Sequence, residues 1–265
     1  MDMLNMMKKI FQYGCLTLKY PHEPLDTTFV SGKPEIYAPS CTGCGTCISR
    51  CPSSAMVKNP DTNKAEINLD ECIFCYLCAQ VCPSLAVSVT SDFELAQKNR
   101  SALRSAASPL REETGKALEI AGQKLESRIN KLFGRSLQIR EVDAGSCNGC
   151  DYEINALNNP FNDLERFGIH FVASPRHADM LLVTGPAARN MEVALKRTYE
   201  ATPDPKLVVA VGACACSGGI FKDNYATRNG IDSVIPVDMY VPGCPPRPQA
   251  ILYGILKALN RIDRC

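Results

Sequence analysis

The spacing of apolar positions changes along this chain. Beyond residue 137, short apolar runs at 137–142, 169–173, 180–184, 207–211 and 237–241 alternate with segments of helical period near 151–167, 189–201 and 246–261. That alternation predicts parallel strands with covering helices. At the other end Met3, Leu4, Met7, Ile10 and Phe11 recur at helical spacing, with Lys8 and Lys9 between them. From Tyr20-Pro21 to Lys33-Pro34 the chain is punctuated by proline and glycine, which predicts an extended segment wrapping a neighbour. Between 93 and 137 charges alternate. Ser108-Pro109 reads as a helix start, Leu118, Ala121, Leu125, Ile129 and Leu132 share one helical face, and Gly134 suits the stop. A helical connector docked by one stripe is predicted there, a solvated linker being the alternative.

Cysteine spacing adds an internal repeat. Cys41-x2-Cys44-x2-Cys47-x3-Cys51-Pro52 returns as Cys72-x2-Cys75-x2-Cys78-x3-Cys82-Pro83, 31 residues later, and each copy leads into a short alternating strand, at 55–57 and 86–89. This is the bacterial two-cluster run, in which three thiolates on one tight loop cap three irons of a 4Fe–4S cubane and the fourth cysteine serves the other cluster. The first cluster is therefore expected on Cys41, Cys44, Cys47 and Cys82, and the second on Cys72, Cys75, Cys78 and Cys51. Thr42, Gly43, Gly45 and Thr46 are small enough to let backbone N–H groups approach the sulfides. Zinc takes four thiolates in CxxC pairs but has no need of a triple CxxCxxC with a distant fourth ligand. Four regions follow: an N-terminal segment 1–35, a two-cluster domain 36–92, a connector 93–137 and an α/β domain 138–265.

Composition narrows the classes. A length of 265 residues suits two small domains, and 45% hydrophobic residues suffice for a core. A formal charge of +1 offers no electrostatic case for nucleic acid. Fifteen cysteines, an odd total with twelve in metal-type spacings, point to thiols kept reduced and held by metal. No apolar run reaches the roughly 18 residues of a membrane span. Neither a signal peptide nor a twin-arginine leader is read at the start, so the cytoplasm is expected.

Four further cysteines stand where strands end. Cys147 and Cys150 follow the run at 137–142, Cys214 follows 207–211 and Cys244 follows 237–241. In a parallel sheet with helical crossovers these loops leave the same edge, so the four thiols are expected to converge on a third 4Fe–4S cluster. Gly212, Gly218, Gly219 and Gly243 allow close backbone approach. A structural zinc or simply buried thiols are the alternatives. Cys216 competes with Cys214, which is preferred because it directly ends the strand turn. Cys15 and Cys265 have no partner spacing and read as incidental thiols.

Residues 138–258 resemble the small subunit of energy-converting, membrane-associated NiFe hydrogenases of the formate hydrogenlyase type, homologous to the cluster-bearing subunit of complex I. The resemblance rests on Cys147-Asn148-Gly149-Cys150 with Glu153, on 174–179, on Gly212-Ala213-Cys214 with Ser217-Gly218-Gly219, and on 242–246. Complex I subunits carry two adjacent cysteines where this chain has CNGC, a departure that favours hydrogenase over quinone reductase. Residues 1–95 resemble the ferredoxin-like subunit of the same complexes, through Lys8-Lys9-Ile10, Tyr20-Pro21, 32–35 and 72–75. The chain is thus similar to a fusion of two usually separate subunits.

That resemblance implies an α+β two-cluster ferredoxin-like domain followed by a flavodoxin-like α/β domain with a parallel sheet, and three 4Fe–4S clusters in all. It implies a NiFe hydrogenase large subunit as partner, membrane subunits of a complex-I-like assembly, an upstream electron donor protein, and a peripheral place on the inner face of the cell membrane. Glu153 is a candidate proton relay by the same resemblance, or a carboxylate complementing a helix dipole. Arg176 and His177 either contact the large subunit and tune the cluster field or fix a loop. The N-terminal amphipathic stretch lies on a membrane surface or packs on the chain itself. The rival functions are a complex-I-like reductase lacking nickel and a soluble ferredoxin-type carrier.

Overall fold

The computed structural model describes residues 8, 9, 12, 16–21, 23–28, 30–104 and 135–259. The apolar positions of the N-terminal stretch, the stripe from Leu118 to Leu132, Cys15 and Cys265 lie outside them.

The cysteine repeat is also a repeat of structure. β1 (Pro34–Ile36), α1 (Thr46–Ser49) and β2 (Met56–Lys58) make one unit, and β3 (Ala65–Ile67), α2 (Leu77–Gln80) and β4 (Val87–Val89) make the next. β1 pairs antiparallel with β4, and β2 with β3, so each unit closes on the other. Backbone conformation repeats as well. Gly43 and Gly45 have φ of 70° and 76°, and their counterparts Phe74 and Tyr76 have 53° and 58°. Glycine occupies that left-handed region freely, whereas each aromatic there costs about 1–2 kcal/mol. Tyr76 is held in part by its own hydroxyl, which donates to the Gly32 carbonyl at 3.0 Å.

The second half is a five-stranded parallel sheet. Its strands are β5 (Leu137–Asp143), β6 (Ile169–Phe171), β7 (Met180–Thr184), β8 (Leu207–Val211) and β9 (Met239–Val241), in spatial order β6-β5-β7-β8-β9. Every residue of β7 and β8 is buried, which is why they read as unbroken apolar runs rather than alternating ones. On one face Ile139, Met180, Leu182 and Val209 pack in one cluster with Ile251, Ile255 and Leu256 of the helix α6 (Pro248–Leu259) and with Ile154 of α3 (Gly149–Asn155). On the other, Leu181, Val183 and Val208 cluster with Leu195 of α4 (Glu192–Ala201). That second cluster continues into Met56, Ile67 and Leu69 of the cysteine repeat, so the two halves share an apolar core.

Two expectations are modified. The helix expected over 151–167 stops at Asn155 and gives way to 3-10 turns at 156–158 and 164–167. Pro160 disfavours helix at Asn159, whose side-chain oxygen instead accepts the N–H groups of Phe161 and Asn162. The stretch leading through Tyr20 toward β1 wraps this chain itself: Leu18 N–H donates to Phe161 O at 2.7 Å, Arg166 to Tyr20 O at 2.7 Å and Gly32 N–H to Thr90 O at 2.7 Å. The start of the connector, ahead of the helix expected from Ser108, is a strap. Gln97 and Tyr240 exchange backbone hydrogen bonds of 3.0 and 2.8 Å along β9, and a 3-10 turn follows at Arg100–Leu103.

Close packing of α6 on the sheet depends on Gly254, where an added Cβ would lie 2.4 Å from Val241 Cγ2. Gly254→Leu should destabilise the second half by about 1–3 kcal/mol through overpacking, measured as a fall in its unfolding midpoint.

Candidate metal centres

Each cysteine loop presents its thiols by a tight turn into a four-residue helix, α1 or α2. Cys41, Cys44, Cys47 and Cys82 line one open hollow, with Lys58 and Lys64 at its wall. The fourth thiol thus comes from the second copy of the motif. Burial raises the pKa of Cys47, and charge on Cys82, Cys41 or Cys44 would raise it further. Cys44 is exposed and lowered by a hydrogen bond from Thr46, whose hydroxyl lies 3.4 Å from its sulfur. Cys82 is also lowered: burial opposes this, but hydrogen bonds from Ser84 and Ala86 prevail.

The reciprocal set surrounds Cys72. Burial pushes that thiol up to about 12, and charge on Cys78, Cys51 or Cys75 would raise it further. Cys78 is pushed to about 11, again chiefly by burial. The crossed arrangement read in the spacing is therefore the one in which the thiols lie together.

The third set sits at the carboxyl ends of β5, β8 and β9. Burial raises Cys150 strongly, with Cys214, Cys244, Asp151 and Cys147 adding to it, and pushes Cys214 to about 11. Cys214 lies in the first turn of α5 (Ala213–Ser217), beside these thiols. Cys216 is wholly buried in the core behind the sheet, with its sulfur 3.9 Å from Ala210 O. The backbone also approaches closely here. Gly212 has φ of 91°, and a Cβ on it would lie 2.5 Å from Cys150 Sγ.

Among the described residues no three His, Cys, Asp or Glu side chains gather as one metal ion would require. Twelve thiols in three groups of four have the donor type and number that 4Fe–4S clusters take. Raised thiol pKa values mean that loading the sites releases protons.

Other expected residues fall as follows. Glu153 lies on α3 beyond its first turn, half-buried, and burial raises its carboxyl while Arg247 opposes the rise. Asp151, which follows Cys150 directly, takes the first-turn position and accepts Thr184 Oγ1 at 2.8 Å and the Ser146 hydroxyl. Its neighbour Glu141 is pushed up to about 7, by burial first and then by Asp151. Neither carboxyl was singled out in the sequence, although the adjacency of Asp151 to Cys150 marked it. Arg176 and His177 precede β7, at the edge of the sheet opposite the thiols. Asp179 beside them accepts Arg135 and the Gln138 N–H, each at 2.9 Å.

Comparison with known proteins agrees with both halves. Residues 147–258 match the family model of the NADH ubiquinone oxidoreductase 20 kDa subunit, and residues 33–83 that of the 4Fe-4S dicluster domain. A probable membrane-bound hydrogenase subunit, mbhJ, of Pyrococcus furiosus is 51% identical over 145 residues, covering 54% of this chain and 87% of that one. Formate hydrogenlyase subunit 7 of Escherichia coli is 47% identical over 140 residues, covering 53% of this chain and only 55% of that one. A subunit of the NADH-quinone oxidoreductase of Geotalea daltonii is 51% identical over 115 residues, covering 43% of this chain and 67% of that one.

Two substitutions separate the roles of these residues. Gly212→Ala should remove about four iron atoms per chain and leave the signals of the two N-terminal centres. Cys216→Ala should leave iron content unchanged, whereas Cys214→Ala should not; iron analysis with EPR checks both.

Proposed function

Because this chain belongs to the family of the NADH ubiquinone oxidoreductase 20 kDa subunit, with a 4Fe-4S dicluster domain ahead of that match, we propose that it is the electron-transfer subunit of a membrane-associated, energy-converting NiFe hydrogenase of the formate hydrogenlyase type. The observation that carries this reading is the match of the two halves to a 4Fe-4S dicluster domain and to hydrogenase subunits, and the action of Cys75 on Cys244 is a link between the Cys72 and Cys147 sets. It orders the thiol groups: the Cys41 set outermost, the Cys72 set between, the Cys147 set last. When bound, three 4Fe–4S clusters supply one-electron transfer along that order. The protein's share is ligation by the twelve cysteines, burial and fixed spacing.

The domains on this reading are 1–35, 36–92, 93–137 and 138–265, the last flavodoxin-like. Counting its strands from β5, the order 2-1-3-4-5 supports that description, with the thiols at the carboxyl ends where such sheets hold ligands. The NiFe large subunit docks at the Cys147 set, where Tyr152 and Tyr225 are 76% and 86% exposed. An upstream donor protein docks at the Cys41 set, beside exposed Cys44, Tyr37 and Leu85. Among the described residues no helix is long and apolar enough to cross a membrane. Attachment on this reading is peripheral, through membrane subunits. Glu153, half-buried beside the Cys147 set, is the proposed proton relay toward the large subunit.

The match to an NADH-quinone oxidoreductase subunit supports a second reading, a complex-I-like reductase without nickel. Metal analysis of the anaerobically purified native assembly distinguishes the two. The hydrogenase reading expects nickel near one per chain and iron of about thirteen or more. Twelve or more iron atoms without nickel, with the large partner attached, would move the assignment to the reductase. Glu153→Gln should slow hydrogen turnover with iron content unchanged; wild-type turnover would remove Glu153 from the relay.

A further inference from the structure

Between the two halves lies a cluster of charges that neither family match accounts for. Asp70 and Glu71, immediately before Cys72, are almost wholly buried. Asp70 Oδ2 accepts Arg100 Nε at 2.7 Å and Arg104 Nε and Nη2 at 3.0 and 2.8 Å. Glu71 Oε1 accepts Arg104 Nη2 at 2.9 Å and Lys222 Nζ at 2.8 Å. Arg100 also reaches Asp232 at 3.4 Å, and Tyr240 donates to the same oxygen at 3.3 Å. The Ser217 hydroxyl donates to the Asp70 backbone carbonyl at 2.6 Å.

Sequence position gives these contacts meaning. Asp70 and Glu71 lead into the loop of the Cys72 set. Ser217 ends the helix that begins beside Cys214, and Lys222 lies in the loop after it. The two arginines come from the strap that runs along β9, between the stretches 33–83 and 147–258 matched by the two family models. The cluster thus ties the backbone entering one thiol set to the helix carrying a thiol of the next. Three cations (Arg100, Arg104, Lys222) face three carboxylates (Asp70, Glu71, Asp232), so the cluster balances its own formal charge.

On the electron-transfer reading above, we infer that this cluster is a positioning latch: Asp70, Glu71, Ser217 and Lys222, joined through Arg100 and Arg104, hold the Cys72 set at working distance from the Cys147 set. None of these residues ligates a cluster. They act through the loops they join, where a displacement falls on the gap between Cys75 and Cys244.

The test uses the intact complex with Ser217→Ala and Lys222→Met, singly and together, and Lys222→Arg as the conservative variant. Iron per chain is measured first. The magnetic interaction between the two neighbouring reduced centres is then read by EPR on the fully loaded molecules, so partial iron loss does not mask it. The double variant should retain three centres, show a weakened interaction and pass electrons from donor to acceptor about tenfold more slowly. Lys222→Arg should restore both. A wild-type interaction and rate in loaded double-variant molecules would overturn the latch, even if their thermal stability falls. Fewer than three centres in the wild-type complex would instead overturn the functional reading.

Discussion

Burial of thiols close to other thiols is the constraint on which the rest of this structure depends. Buried cysteines resist ionisation, and the first charge in each set discourages the next. Ionising such a group is costly unless a cation-rich centre takes the charge, so the backbone must hold the sulfurs in place. The cysteine loops do this with residues in left-handed conformation and short helices. The parallel sheet does it by delivering three loops to one edge. Gly212 shows the tolerance involved, since a single added methyl would meet the sulfur of Cys150.

The same demand explains strain and buried charge elsewhere. Phe74 and Tyr76 keep the conformation of Gly43 and Gly45 because the second loop must turn as the first does, although neither residue favours it. Asp70 has no exposed side-chain surface, yet it carries a carboxylate against two arginines. Removing one member of a buried ion group costs about 3–5 kcal/mol, while a well-packed apolar replacement is often no less stable. Stability alone therefore does not call for such a group.

The apolar core reinforces that docking. Leu69 N–H donates to Leu103 O at 2.8 Å, and both side chains belong to the cluster that runs under β7 and β8. The first and second halves are therefore not beads on a flexible string. The strap between them is packed at both ends, and the N-terminal segment crosses from Phe161 to Thr90 on its way into β1.

Much of this was determined by sequence alone. The fixed intervals of Cys41 to Cys82 are local, because three thiols on one loop can reach one cluster only at such spacing, and unbroken apolar runs mark strands buried on both faces. Convergence of Cys147, Cys150, Cys214 and Cys244 followed from the handedness of parallel crossovers. Tertiary structure decided what no local period encodes. It turned Cys216 into the core and Cys214 toward the other thiols. It ended the helix at Asn155 before Pro160, and it made the start of the connector a strap along β9. It also brought Lys222 to Glu71 across 151 residues of chain. Spacing reports on groups that share a loop or a face, whereas a contact between two separately folded halves depends on their docking, and charged residues with no shared period carry no sign of it until the surfaces meet.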